Sequence, residues 1–428
     1  MFLLTLPRQR RGLPFRPEPV LRRAGLPGDP RFWLAIGLSA CSVLAGSSLA
    51  PALVGIARGI GAGDALWPRL LVSLPALGVP LGALAFARFG HPGRDRAVLI
   101  AALYLYAACG VLGAVVTVAP VMLAARFLQG LTIAPLMLIA LRMLGQGPAA
   151  RGNMALQSTL MTASTVVVLL LAAGLAGVNW RLPFALNLLP LALVPAVRRL
   201  HATPTAAPAP AEPDPAPDRE RDEPRLLPGM ILAFLGMGTF FAIPTHAAPV
   251  LARMGHDNAG LAAGVIVASV VAASLGGLMV RRAGDGLRPG TALSLGYGCI
   301  TLGFFQLAMG VTLPLVFSGA ALVGLGFGTV FPTLNHWAAR GSFAGSRRRI
   351  MAMLTAAFHV GQFMAPLFGA AALMRDAPAA VFLPYAILGF YGLRLAIVAR
   401  SEIDAAFTLP ASTPNGIADT LVSRRNAA

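Results

Sequence analysis

The feature that most constrains this sequence is the recurrence of apolar windows about 20 residues long, separated by short breaks rich in arginine, proline and glycine. A hydrocarbon core about 30 Å thick needs roughly that many residues of helix. Only helices and closed barrels satisfy every backbone polar group at that depth. Twelve windows are counted, at 32–53, 68–88, 98–118, 120–141, 155–176, 182–199, 229–252, 259–280, 291–309, 313–335, 350–373 and 380–399. Of the 428 residues, 57% are hydrophobic and only 12% charged, whereas a soluble domain carries about 25% charged residues. The expectation is an all-α integral membrane protein with twelve transmembrane helices. Met1 to Pro7 is too short for the apolar core of a signal peptide and runs into Arg8, Arg10 and Arg11, so the N-terminus is expected to stay with the mature chain.

The net charge of +18 does not point to nucleic acid, because a basic binding face needs its charges clustered on a solvated surface. All 34 basic residues are arginine, which excludes the phosphate-gripping P-loop lysine and Schiff-base chemistry. Cys41, Cys109 and Cys299 each fall inside an apolar window and match no metal-ligand spacing, so neither a metal nor a cofactor is expected. The arginines instead report topology, since basic loops are retained in the cytoplasm. With the N-terminus inside, 27 arginines fall in cytoplasmic segments and five, Arg58, Arg69, Arg181, Arg253 and Arg375, in external ones. Both termini are therefore expected in the cytoplasm, in the cell inner (plasma) membrane. Trp33, Trp67, Trp180 and Trp337 all fall at window ends, where the headgroup region suits an indole.

The chain divides at residues 200–228, HATPTAAPAPAEPDPAPDRERDEP with its flanks, which is too rich in proline and charge to bury anything. Residues 1–31 and 401–428 are cytoplasmic tails, 32–199 and 229–400 six-helix bundles, and 200–228 a cytoplasmic linker. Shifting the second bundle back by 194 residues brings Gly82, Leu84, Arg88, Gly90 and Arg94 onto Gly276, Leu278, Arg282, Gly284 and Arg288. Pro120 then falls on Pro314 and Gly130 on Gly324. Two pseudo-symmetric bundles are implied, an arrangement that places a substrate site at the repeat interface near midplane.

Three segments carry a family resemblance. GALAFARFGHPGRDR after span 2 resembles the G-x-L-a-D-r-x-G-r-k signature of the major facilitator superfamily, with Phe86 at the acidic position. Span 4 holds the R-x-x-Q-G element as Arg126, Gln129 and Gly130, and span 6 opens with a W-R-x-x-F-x-x-N-like turn through Trp180, Arg181, Phe184 and Asn187. The resemblance covers Phe32 to Arg400. It implies a secondary transporter working by alternating access, with spans 1, 4, 7 and 10 lining a central cavity and Gly82, Arg88, Gly90, Arg94 and Gly130 as conformational motif. Span 5 lacks the proline that proton-coupled exporters of the family generally show, and all sixteen acidic residues fall outside the spans.

Polar residues inside spans are costly and mark cavities or helix contacts. Arg126, Gln129, His246, Asn335, His336, His359 and Gln362 are the substrate or coupling candidates. Arg126 either anchors an anionic or carbonyl group or ties span 4 to a neighbour. His246 and His359 either titrate or bridge helices, and Asn335 and His336 either line the inner mouth or mark the membrane edge. With Phe127, Met137, Phe240, Phe241, Phe327 and Phe331 on cavity spans, the first expectation is efflux of a lipophilic or amphipathic small-molecule substrate. Uptake of a small anionic metabolite, with Arg126 as counter-charge, is the alternative. A membrane enzyme or non-transporting sensor lacks any nucleophile and base pair. The partners expected are the substrate, the lipid bilayer and protons as coupling ion, with the chain a monomer and no nucleic acid bound.

Overall fold

The computed structural model describes residues 29–62, 66–89, 94–144, 150–200, 226–309, 312–340, 347–369 and 378–408. Gly90, Asp64, Arg375, Asp376, nearly all of the linker, and the tails before residue 29 and after 408 lie outside the described residues. Every described regular element is helical, as bilayer solvation requires. The helices are α1 Pro30–Gly59, α2 Trp67–Phe89, α3 Asp95–Val115, α4 Ala119–Leu144, α5 Ala150–Val178 and α6 Leu182–Arg198. After the linker come α7 Leu226–Arg253, α8 Ala259–Ala283, α9 Pro289–Met309, α10 Leu313–Arg340, α11 Arg347–Phe368, α12 Leu383–Val398 and a short α13 Arg400–Thr408.

Local chemistry sets where these helices begin and bend. Asp29 caps α1 by accepting from the Arg31 amide at 2.8 Å, with Pro30 in the first turn where no amide is needed. Asn258 caps α8 through the amides of Gly260 and Leu261 at 2.7 and 3.1 Å. Pro51 lacks an amide, and α1 tightens to a 3-10 turn over Ala50–Ala52 before resuming. α7 breaks at Phe241, and the centre of α6 around Pro190 is 3-10 over Leu186–Leu193.

Among the described residues eleven helices are long and apolar enough to cross a membrane, and α6 is a shorter apolar one. The twelve expected windows thus correspond to twelve helices, with three corrections. α1 continues past residue 53 to Gly59, because the proline kink does not end it. Asp95 is the first residue of α3 rather than a loop residue, at the helix end where a negative charge is favoured. Trp337 is no headgroup anchor: it is 1% exposed and packs on Gly229 of α7, where a Cβ would strike the indole.

The internal repeat is visible in packing. Gly130 lets α4 close on the Pro75 carbonyl of α2, and Gly324 lets α10 close on the Ser269 carbonyl of α8 in the same way. Gly82 and Gly276 likewise press on the carbonyls of Leu131 and Leu325. Tyr106 of α3 donates to the Cys41 carbonyl of α1, and Tyr297 of α9 donates to the Leu232 carbonyl of α7, each pair separated by the same 65 residues. A hydroxyl that reaches a neighbouring backbone inside an apolar core both satisfies itself and fixes helix spacing.

The bundles meet along α5 with α8 and α2 with α11, and the second halves of α1 and α7 pack together. At that end Arg58 of α1 forms an ion pair with Asp257, just beyond α7. At the other end, which carries Pro30 and Arg400, α4 and α10 make no extensive contact among the described residues. The molecule is therefore closed between its halves at the Arg58 end.

Candidate functional site

Arg126 is 2% exposed and turned into the first bundle. Its Nε donates to the Leu71 carbonyl of α2 at 2.9 Å, one terminal nitrogen to the Ala45 carbonyl of α1 at 3.3 Å, and the other to the Gln129 side-chain oxygen. Gln129 passes the network on, its amide nitrogen donating to Asn187 Oδ1 of α6 at 2.8 Å. Asn187 also accepts from Tyr106 at 3.3 Å and donates to the Phe184 carbonyl at 3.1 Å. One guanidinium thus ties α1, α2 and α4 together directly, and α3 and α6 through Gln129. At the repeat-related position of the second bundle stands Ala320, itself fully buried, so this charge has no counterpart there. In this conformation both side chains are buried in helix contacts of the first bundle.

His246 sits in the second half of α7, fully buried. Its Nδ1 lies 2.9 Å from Thr245 Oγ1 and 3.2 Å from the Ala242 carbonyl. The Thr245 hydroxyl already donates to the Phe241 and Ala242 carbonyls, so Nδ1 is assigned the proton and Nε2 the lone pair. The ring lies against Tyr385 and Phe382, with centroids 5.4 and 6.3 Å away. Asn335 and His336 lie near the end of α10, half-buried and exposed, with Asn335 Nδ2 donating to the Phe331 carbonyl at 2.8 Å. His359 and Gln362 are both half-buried on α11, and His359 Nδ1 meets the Thr355 carbonyl at 2.8 Å. The candidates therefore form no single cluster: Arg126 with Gln129 belongs to the first bundle, and the other five to the second.

Phenylalanines connect the helices of the second bundle at mid-height. Phe240 of α7 stacks on Phe327 of α10 at 4.2 Å, Phe327 leans on Phe331 at 5.6 Å, and Phe331 on Phe358 of α11 at 4.8 Å. Phe331 is 40% exposed, one helical turn from Asn335. Phe327 and Phe358 are themselves buried, so this row exposes Phe331, with the half-buried Asn335 amide at its edge.

In the conformational motif, Gly82 is buried against α4, while Arg88 and Arg94 are exposed, and Gly90 lies outside the described residues. Phe86, at the acidic position of the signature, receives Arg142 over its ring at 5.2 Å, and Arg142 also pairs with Asp95 at 3.4 Å. Among the described residues no group of three His, Cys, Asp or Glu side chains is arranged to hold a metal ion.

Sequence reasoning missed Arg69, which was counted among external loop arginines. It lies in the first turn of α2 and is 4% exposed. Its place beside Trp67 and Pro68 at the end of an apolar window reads as a boundary, whereas in the fold α7 packs on α2 and the side chain is buried. Tyr106 and Tyr385 were missed as well. A tyrosine within an apolar window carries no mark of the carbonyl it reaches.

The profile of the Major Facilitator Superfamily matches residues 35–366. No curated protein matches the chain significantly. Among solved structures, a bacterial homologue of the human lysosomal transporter Spinster, inward-facing and unoccupied, aligns with a TM-score of 0.65 at 12% identity over 89% of this chain and 98% of that one. A structure of the nucleoside transporter NupG aligns with a TM-score of 0.68 at 12% identity over 87% of this chain and 99% of that one.

Proposed function

The chain belongs to the Major Facilitator Superfamily, and from that premise we propose that it is an efflux permease moving lipophilic or amphipathic small molecules by alternating access. It has the fold of that superfamily's transporters, with transmembrane helices in two pseudo-symmetric bundles. The observation that carries the efflux reading is the aromatic row Phe240, Phe327, Phe331 and Phe358, which ends on the exposed Phe331 beside the Asn335 amide, because an apolar surface with one amide at its edge favours substrates that shed little hydration on entry. Uptake of an anion draws less support, since all three guanidinium nitrogens of Arg126 are engaged inside the first bundle.

In this reading the bundles of residues 32–199 and 229–400, joined by the linker 200–228, rock about the cavity between them. Arg126 and Gln129 keep the first bundle rigid while it moves, and Asn335, His336, His359 and Gln362 supply the polar contacts of the cavity. Gly82, Arg88, Gly90, Arg94 and Gly130 set how α2 slides on α4. The protein works in the inner (plasma) membrane with both termini cytoplasmic, as the arginine asymmetry favours.

The test is uptake into inverted membrane vesicles of a panel of lipophilic cationic dyes and small carboxylates, with and without a pH gradient. Accumulation of a dye above control vesicles supports efflux. Accumulation of no dye, with carboxylate movement dependent on Arg126, replaces it with the anion reading. Reporter fusions at residues 60 and 255 are expected outside and those at 92, 215, 285 and 345 inside, and cytoplasmic signals at both 60 and 255 overturn the orientation.

A further inference from the structure

On the outer face of the second bundle, α9 and α12 leave a groove of about 430 Å³ between Gly298, Leu302 and Phe305 of one helix and Leu383, Ile387 and Phe390 of the other. Close packing beside it creates the space. A Cβ on Gly392 of α12 would strike the Tyr297 ring, so the two helices meet tightly there, whereas a Cβ on Gly298 would meet nothing within 4 Å. The wall is apolar, and its one hydroxyl, that of Thr301, is spent on the Tyr297 carbonyl at 2.7 Å. Leu302, Phe305, Leu383, Ile387 and Phe390 are all exposed. Among the described residues α9 and α12 pack extensively only on elements of the second bundle, so in a bilayer this face meets lipid.

Acyl chains wet any apolar face, so the groove by itself selects nothing. Arg394 changes that. It lies in α12 four residues before the helix ends at Val398. Steps of four, three and four residues along Leu383, Ile387, Phe390 and Arg394 put it on the groove's own stripe. A charge inside an apolar span is costly unless it is paired or reaches the interface. The Arg394 side chain is exposed, and among the described residues it makes no hydrogen bond or ion pair. Arg400, further along, is by contrast taken up by Thr291 at 2.7 Å and Asp404 at 3.9 Å. A guanidinium that starts about 6 Å inside the helix end reaches headgroup depth on its own apolar stem.

We propose that this groove is a binding site for one anionic glycerophospholipid of the leaflet at the Arg400 end, with an acyl chain lying between α9 and α12 and the phosphate held by Arg394. The groove runs from Leu393, beside the arginine, to Leu383, about 15 Å along the helix axis. That is half of a hydrocarbon core about 30 Å thick, a length that one chain follows from the headgroup inward. The planar guanidinium fork, with its donors unspent, grips phosphate oxygens in pairs. A net negative headgroup is favoured over a zwitterionic one, because a choline ammonium beside the phosphate repels the arginine. The site depends on the membrane-spanning fold and not on which solute the protein moves.

The test uses two photoreactive lipids that carry the same diazirine-bearing acyl chain, a phosphatidylglycerol and a phosphatidylcholine. Each is a minor component of nanodiscs that hold the full chain in unlabelled phosphatidylcholine. After illumination the labelled peptides are mapped by mass spectrometry. Phosphatidylglycerol is expected to label the α9 and α12 walls of the groove about fivefold more than phosphatidylcholine, the effect of one arginine near an anionic headgroup. Arg394→Gln is expected to erase that preference. Gly298→Phe, whose ring fills the groove, is expected to lower its labelling by phosphatidylglycerol. Arg282→Gln, which removes an exposed arginine at the same end of α8, is expected to change neither. Equal labelling by the two lipids in the parent, an undiminished preference in Arg394→Gln, or an equal loss in Arg282→Gln each overturns the proposal. So does a groove left unlabelled because each nanodisc holds two copies of the chain, which mass photometry reads. Should Arg394→Gln fail to fold, Gly298→Phe decides, since full labelling with the groove filled overturns the site.

Discussion

The guanidinium of Arg142 lies over the Phe86 ring, 5.2 Å from its centroid, where the superfamily's signature places a carboxylate. The end of α4 is still held against the end of α2, but by the negative face of an aromatic ring. Asp95 at the start of α3 supplies the missing charge from a third helix, 3.4 Å away. Partly exposed contacts of this kind contribute about 0.5–1 kcal/mol, so Phe86→Ala is expected to lower the melting temperature in detergent slightly. Phe86→Asp is expected to match the parent, because the arginine regains an ionic partner. A larger loss with Asp than with Ala, read by thermal denaturation, would refute this substitution of ring for carboxylate.

The paired glycines make a sharper claim. A Cβ on Gly130 or on Gly324 meets a backbone carbonyl, of Pro75 or Ser269, that cannot rotate away. Replacing glycine by alanine inside a helix normally gains about 0.5–1 kcal/mol, but overpacking of this type costs about 1–3 kcal/mol. Gly130→Ala and Gly324→Ala should both lose stability and membrane abundance, to a similar degree. Gly174→Ala, with nothing within 4 Å of its Cβ, should lose none. The measurement is the melting temperature of each purified variant, and a stabilised Gly130→Ala would contradict the packing argument.

Arg126 reaches two carbonyls and one amide at once. Alanine there orphans the acceptors of Leu71, Ala45 and Gln129, and each buried orphan costs about 1–3 kcal/mol. Lysine keeps the charge, but its single nitrogen lacks the planar fork. Arg126→Ala is expected to abolish transport and Arg126→Lys to retain a small fraction, both with lowered melting temperature. Asn187→Ala, which breaks the far end of the network, should lower it too. Transport by Arg126→Lys equal to the parent at matched abundance would remove the tie.

The pair Arg58 and Asp257 closes one end without providing much energy, since exposed ion pairs contribute about 0–1 kcal/mol. Arg58→Ala should therefore transport almost normally. Bridging Arg58→Cys to Asp257→Cys with a short bifunctional thiol reagent, in a chain without its native cysteines, should stop transport, because the ends can no longer part. Continued transport by the bridged protein, with cross-linking verified by mass spectrometry, would mean that this end does not open during the cycle.

Much of the architecture could be read from the sequence, because hydrocarbon leaves few options: each apolar window had to be a helix. The repeat was legible too. Gly82 and Gly130, with Gly276 and Gly324, mark places where only a missing side chain lets backbones touch, and that requirement appears as a letter at fixed spacing. Arg126 and Gln129 stood out as polar letters inside an apolar window, in the R-x-x-Q-G element.

What those side chains do was set by the tertiary structure. The acceptors of Arg126 are the carbonyls of Leu71 and Ala45, and a carbonyl belongs to every residue, so no pattern in the sequence names it. Arg69 has the sequence of a loop boundary, yet in the fold it is a buried charge. The sequence determined which segments leave water, since transfer free energy adds up along the chain. Only the fold decided which groups meet once inside, since that depends on helix rotation and on the approach of segments more than a hundred residues apart.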